Sequence, residues 1–385
     1  MNKMNWLTEE LADIKNKGLY RRLNTIESAQ TPRIIKDGRE LILLSSNNYL
    51  GLTAHPEVKK AAIKAIEKYG SGAGGARLTT GNTDLYNSLE EKIAKFKGTE
   101  DALVFSTGYM ANIGIISAIM DKGDLILSDE LNHASIIDAC RLSRAEVKVY
   151  PHRDVSCIEK ILRASTHPKK LIATDGIFSM DGDIAPLPEI VELGERYDAM
   201  VMVDDAHATG VLGQHCIGAA DYFNVDVEIN MGTLSKALAS TGGYVAGSRE
   251  LIDYLRNRAR SFIFTTALPP PAVAAAKAAI DIIEKEKPAK KLWQNVALYK
   301  KGLTDMGINI SSETQIVPIM TGDTRTTVEA ATELERLGVF TQGIRPPTVP
   351  EGRGRIRTSL MATHSEQDIN DSLDAIRIIK EKFDI

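Results

Sequence analysis

The stretch MVMVDDAHATG, residues 200–210, decides the fold. Met200–Val203 is an unbroken apolar run, the mark of a strand buried on both faces, and Asp204, Asp205 and His207 follow at its carboxyl end. A charge beside a buried strand is expensive unless a partner compensates it, so these residues mark either a structural carboxylate or the floor of a site. The same rhythm recurs in both directions. ALVF (102–105), LILS (125–128), VKVY (147–150), LIAT (171–174) and YVAG (244–247) read as strands, with helical patterns near 108–120, 133–143, 156–165 and 186–198 between them. That alternation predicts a large α/β domain with a mostly parallel sheet covered on both faces. Ligands of such sheets sit beyond the carboxyl ends of the strands.

Upstream, residues 5–17 read as a short helix, 41–46 as a strand, and 56–69 and 83–97 as amphipathic helices flanking GSGAGGARLTTGN. Downstream, a helical region from 248 to about 306 is broken by the prolines at 269–271, and 315–385 reads strand, helix, strand, strand, helix. The expected division is an N-terminal arm over 1–45, a large α/β domain over 46–270 and a smaller α+β domain over 271–385.

Composition narrows the function classes. The chain has 385 residues, 43% apolar and 25% charged, enough for a large core without cross-links. A formal net charge of −4 gives no overall pull toward nucleic acid or anionic lipid. Cys140, Cys157 and Cys216 are too scattered for a disulfide framework or a zinc site. No apolar run approaches the ~20 residues that span a bilayer, and the polar start is neither a signal nor a transit peptide. The expectation is a cytoplasmic enzyme with no metal, no membrane and no nucleic-acid partner.

Three further segments bear on chemistry. In NMGTLSKALASTGGY (230–244), Lys236 stands among small side chains just after Thr233 and Ser235. A lysine so placed is either a surface residue or a desolvated amine able to form an imine with an aldehyde cofactor. The hydroxyls suit a phosphate, and Asp204 could hold a pyridine nitrogen protonated. In VFSTGYMANIG (104–114) a strand turns through Gly108 and Tyr109 into a helix, offering backbone N–H groups to an anion. His133 opens a helix after a strand, as a cap or as a face against a planar ring, and Ser179 lies on a Gly/Asp-rich loop beyond LIAT. The glycine-rich 70–82 segment is neither a P-loop nor a dinucleotide fingerprint, and reads as a mobile flap or a plain turn. His55, His152, His167, His215 and His364 lack supporting neighbours in sequence and read as structural or exposed.

Taken together, SSNNYLGL (45–52), VDDAHATGVLG, GTLSKA and RIRTSLMATHS (355–365) resemble the α-oxoamine synthases, a family of fold-type I pyridoxal-phosphate transferases, over essentially the whole chain. The resemblance implies decarboxylative condensation of an amino acid with an acyl thioester. It implies that Lys236 carries pyridoxal 5′-phosphate, Asp204 pairs with the pyridinium, His207 bonds the ring's phenolic oxygen and His133 stacks on its face. It implies that Gly108, Tyr109 and Thr233 serve the phosphate with Ser179 nearby, and that Thr265 or Thr266 reaches the partner subunit's phosphate in a homodimer. Asn47 and Arg357 match positions for the amino acid's carboxylate, Arg21 and Thr348 positions for the acyl substrate. ARLTTGN (76–82) and GIRPPTVPEG (343–352) resemble the branch that joins L-alanine to a pimeloyl thioester. The alternatives are the glycine and acetyl-CoA branch, a dinucleotide-dependent dehydrogenase and a non-catalytic cofactor-holding module. One departure stands out: the family usually has Gly-Arg-Gly after the VLG turn, where this chain has Cys216-Ile217-Gly218. That removes a basic residue and puts the loop's usual contacts in question.

Overall fold

Residues 3–385 are described by a computed structural model and form two compact units. The larger comprises Asn47–Ser179 and Asp183–Lys290; the smaller comprises the chain up to Ser46, Met180–Gly182 and Lys291–Ile385.

The larger unit is built on a seven-stranded sheet. Its order is Asp101–Phe105, Gly243–Gly247, Ile229–Thr233, Met200–Asp204, Lys170–Asp175, Leu125–Asp129, Glu146–Tyr150. The last five of these run parallel to one another. Gly243–Gly247 runs antiparallel to both of its neighbours. The short stretch between Thr233 and Gly243 explains this, because a parallel return needs a crossover of about a dozen residues or more. The Leu125–Asp129, Ile229–Thr233 and Gly243–Gly247 strands are buried at every position, as expected for a sheet covered on both faces.

Helix Gly108–Ile119 lies against this sheet and contributes Ala111, Ile115 and Ile116 to a core that also holds Leu103, Phe105, Met202, Val245 and Phe262. Each of the larger of these side chains contributes about 1.5–3 kcal/mol by leaving water. Thr107 caps the helix by accepting from Met110 N at 3.0 Å. A side chain on Gly114 would meet Ser261 Oγ at 2.5 Å and the Phe105 ring at 2.7 Å, so glycine sets how closely the helix packs.

The 70–82 segment is made of bends and turns and is anchored through Arg77. Arg77 lies buried in it, held by both oxygens of Glu90 at 2.9 Å and stacked 3.8 Å from the Tyr86 ring centroid. Glu90 in turn accepts from Val104 N at 2.8 Å, which ties the segment to the first strand of the sheet.

The smaller unit holds two three-stranded sheets. Arg33–Lys36 pairs antiparallel with Arg39–Leu43, which pairs parallel with Val339–Phe340. The expected 41–46 strand therefore ends earlier and belongs to a hairpin. The second sheet has Gly354–Ser359 at its centre, antiparallel to Ile316–Gly322 and Gln342–Ile344. Helices Thr324–Arg336 and Glu366–Phe383 belong to this unit, the second opened by a Ser365/Asp368 capping box. Among the described residues no helix is long and apolar enough to cross a membrane.

Candidate active site

The carboxyl ends of the Met200–Asp204, Lys170–Asp175 and Ile229–Thr233 strands open onto a cleft of about 250 Å³. Gly108, Tyr109, His133, Asp204, His207, Thr233 and Lys236 all line it. Ser235, whose hydroxyl the sequence offered to a phosphate, lines it too, as do Thr107, Asn112, Ser135 and Asp175, which sequence reading did not single out.

Asp204 forms the floor and is 3% exposed. One carboxylate oxygen accepts from Asn112 Nδ2 at 2.8 Å and the other from Ala206 N at 2.9 Å. Asn112 stands one turn into the helix that Gly108 begins, so it shares that residue's face. Its amide also donates to Ser135 Oγ at 2.8 Å, and Ser135 Oγ lies 2.7 Å from His133 Nδ1. A buried polar chain thus runs from Asp204 to His133.

Asp175 is the register partner of Asp204 on the neighbouring strand and is also buried. It accepts from His133 N at 2.7 Å. Burial, and then the neighbouring Asp204 charge, hold the Asp175 carboxyl well above the usual carboxylate range. Two carboxylates side by side in a dry floor call for a cation or a shared proton.

Lys236 Nζ lies 2.9 Å from His207 Nε2, and His207 Nδ1 lies 2.6 Å from Tyr49 Oη. Tyr49 in turn donates to Asn47 Oδ1 at 3.1 Å. Placing the protons in one direction satisfies the whole chain: the ammonium donates to Nε2, Nδ1–H to the phenol, and the phenol to Asn47. The imidazole is then neutral. Tyr49 was not singled out from the sequence, although it stands in the SSNNYLGL motif.

The opposite wall is made of hydroxyls and backbone. Thr233 Oγ1 lies 2.7 Å from Ser235 Oγ and donates to Gly242 O at 2.8 Å. Gly108 faces this pair, and a side chain there would lie 3.4 Å from Thr233 Oγ1. Tyr109 places its ring edge-on to His133, centroids 6.5 Å apart, while its hydroxyl bonds Asp138.

The remaining expected residues lie elsewhere. Ser179 and Thr265 are half-buried and Thr266 is exposed, all in the larger unit outside the cleft lining. Thr266 O accepts from Ser106 Oγ at 2.9 Å. Arg21, Thr348 and Arg357 belong to the smaller unit, where Arg21 Nη2 lies 3.4 Å from Thr348 Oγ1 and Arg357 is buried on the central strand.

Asp205 plays a different part from Asp204: it is fully buried, paired with Lys97 Nζ at 2.9 Å, and accepts from Ala219 N at 3.0 Å. The departing Cys216-Ile217-Gly218 loop keeps a basic contact, because Lys97 also donates to Ile217 O at 2.9 Å. Cys216 adopts φ 60°, a left-handed conformation where the family usually has glycine. His152 has strong neighbours that its sequence setting hid, Asp129 and Asp183.

The cleft fits a phosphorylated pyridine aldehyde. Asp204 matches a protonated ring nitrogen that would relieve the paired carboxylates, Lys236 matches the aldehyde, and the Gly108 helix start with Thr233 and Ser235 matches the phosphate. Among the described residues no three His, Cys, Asp or Glu side chains are placed to hold a metal.

Comparison with known proteins agrees. The family model for class I and II aminotransferases matches residues 39–376. An 8-amino-7-oxononanoate synthase of Thermoanaerobacter pseudethanolicus is 49% identical, covering 100% of this chain and 99% of the relative. Serine palmitoyltransferase of Sphingomonas wittichii superposes with a TM-score of 0.93 at 33% identity, covering 100% of this chain and 98% of that one. The 8-amino-7-oxononanoate synthase of Francisella tularensis superposes at 0.77 with 28% identity, over 90% and 99%. The chain belongs to the class I and II aminotransferase family.

Proposed function

We propose that this protein is an 8-amino-7-oxononanoate synthase that uses pyridoxal 5′-phosphate to condense L-alanine with a pimeloyl thioester, in biotin biosynthesis. The observation that carries the chemistry is Lys236 Nζ at 2.9 Å from His207 Nε2, in a cleft floored by buried Asp204. When bound, the cofactor supplies an electron sink for negative charge at the amino acid's Cα.

The chain's own residues do the rest. Lys236 would hold the cofactor through its amine, and as a free amine it would take and return the proton at the amino acid's Cα. Its bond to His207 keeps the amine aimed into the cleft. Asp204, oriented by Asn112, keeps the ring nitrogen protonated, and His133 covers the ring's face. His207 would hydrogen-bond the ring's phenolic oxygen. Gly108, Tyr109 and Thr233 bind the phosphate, with Ser179 nearby. Asn47 and Arg357 bind the amino acid's carboxylate, the latter as a bidentate fork. Arg21 and Thr348 contact the acyl substrate. The active unit is a homodimer in the cytoplasm, with Thr265 or Thr266 of one subunit serving the other's phosphate.

The substrate assignment rests on ARLTTGN and GIRPPTVPEG and on the relative at 49% identity. A pimeloyl chain needs an apolar channel with a polar end, whereas an acetyl group needs almost no pocket. Each buried methylene contributes about 0.8 kcal/mol, so a fitted channel favours the long chain by at least about a hundredfold in kcat/KM. Measuring kcat/KM for pimeloyl-CoA and acetyl-CoA, each with alanine and with glycine, tests this. A wide margin for acetyl-CoA with glycine would refute it.

A further inference from the structure

His152 follows the Glu146–Tyr150 strand, away from the residues assigned above. Its ring lies between two carboxylates, with Nδ1 3.0 Å from Asp129 Oδ1 and Nε2 2.7 Å from Asp183 Oδ2. Carboxylates accept and do not donate, so both ring nitrogens must carry protons for both bonds to exist. The geometry therefore requires an imidazolium.

Each carboxylate belongs to a segment joined to a residue of the cleft lining, Asp129 to the turn leading to His133 and Asp183 to the loop that follows Asp175. Asp129 closes the Leu125–Asp129 strand and accepts from Leu131 N and Arg153 N, each at 2.9 Å, which shapes the turn leading to His133. The Asp183 backbone accepts from Phe178 N at 3.0 Å, immediately before Ser179, and Ile177 and Ile184 form a bridge around it. The Phe178 ring stands perpendicular to the His152 ring, centroids 4.4 Å apart.

We propose that His152, as an imidazolium, is a positioning residue that ties the segment carrying His133 to the loop that follows Asp175, and so holds these two cleft-lining residues in register. This rests on the reading of that cleft as the cofactor site. Burial alone would push the imidazole's pKa down; the bonds to Asp129 and Asp183 outweigh it and raise the pKa to about 9. The other charged groups facing the pair are Glu130, which accepts from His152 N at 2.9 Å, and Arg153, whose Nη1 lies 3.6 Å from Asp183 Oδ2. Buried Tyr150 stands near Asp129 and stays neutral.

The sign follows from a raised folded-state pKa. The tie is complete below the free-imidazole value of about 6.5 and is lost as pH rises through about 9.

The test uses amide exchange on the wild-type protein without cofactor, between pH 7 and pH 10, with intrinsic rates divided out. Protection over residues 176–184 should fall about tenfold through pH 9, while that of residues 200–204 stays level. Level protection in both would overturn the proposal, and it would leave the cofactor assignment untouched because no cofactor is present. His152→Gln should show low, level protection over 176–184. It should also bind pyridoxal phosphate about tenfold more weakly than wild type at pH 7.5, with the ratio shrinking toward one by pH 10. A ratio constant across that range would mean packing alone, and would also overturn the proposal. If His152→Gln does not fold, Asp183→Asn replaces it. Removal of one carboxylate should move the exchange midpoint to lower pH, and an unmoved midpoint refutes the tie.

Discussion

Lys97 Nζ lies 2.9 Å from Asp205 Oδ2, and the two side chains are 1% and 0% exposed. Both charges belong to one buried pair beneath the turn that presents His207. Gly218 lies against them: a side chain there would fall 1.9 Å from Asp205 Oδ2 and 3.0 Å from Lys97 Nζ. Removing one member of such a pair leaves an uncompensated buried charge. Lys97→Met should therefore destabilise the fold by about 3–5 kcal/mol. Lys97→Met combined with Asp205→Asn should recover most of that. Chemical denaturation of both variants checks it, and a double variant no more stable than the single one would refute the pairing.

Lys236→Ala should fold with near wild-type circular dichroism and thermal midpoint, yet lose turnover and the absorbance of the lysine-bound cofactor. Borohydride trapping followed by peptide mapping of the wild type should locate the label at Lys236. A label on another lysine would move the role.

Asp204→Asn keeps the shape and the Asn112 contact while losing the charge. Its kcat should fall on the order of 10²-fold or more, with cofactor still bound. Asp205 cannot take over, because Lys97 already holds it. Near-normal turnover in steady-state kinetics would contradict this.

Gly243 lies against the start of the Gly108 helix, where a side chain would fall 2.6 Å from Gly108 Cα and 2.7 Å from Thr107 O. Gly243→Ala should push that helix start away from Thr233 and weaken cofactor binding about tenfold, roughly 1.4 kcal/mol. Fluorescence titration with pyridoxal phosphate measures it. Unchanged affinity would mean that the phosphate is held elsewhere.

Strands and helices of the larger unit were legible because buried parallel strands are continuous apolar runs between amphipathic helices. Residues 56–69 form a helix as expected, and the 102–105 and 171–174 runs form strands. Lys236, Asp204 and His207 were legible because polar residues at the ends of such runs are costly without a purpose. Asn112, Ser135 and Asp175 were not, since each matters through a partner far off in sequence. The same holds for Lys97: a lysine closing an amphipathic helix looks solvated until the fold places Asp205 beside it. His152 differs in kind, because the two acids that define it come from the end of one strand and from a separate loop.

The antiparallel Gly243–Gly247 strand separates Asp101–Phe105 from the rest of the sheet, so within the sheet the strand leading to Gly108 reaches the strand ending at Thr233 only through it. A chain emerging from the ribosome carries the Gly108 helix start early but cannot seat it until residue 247 has been made. Such distant pairings are slow to close, and the loop entropy is paid before any contact rewards it. The cleft therefore cannot assemble until both of these distant stretches have been made and paired. Pyridoxal phosphate would then bind a nearly finished protein and hold it closed, rather than seed its folding.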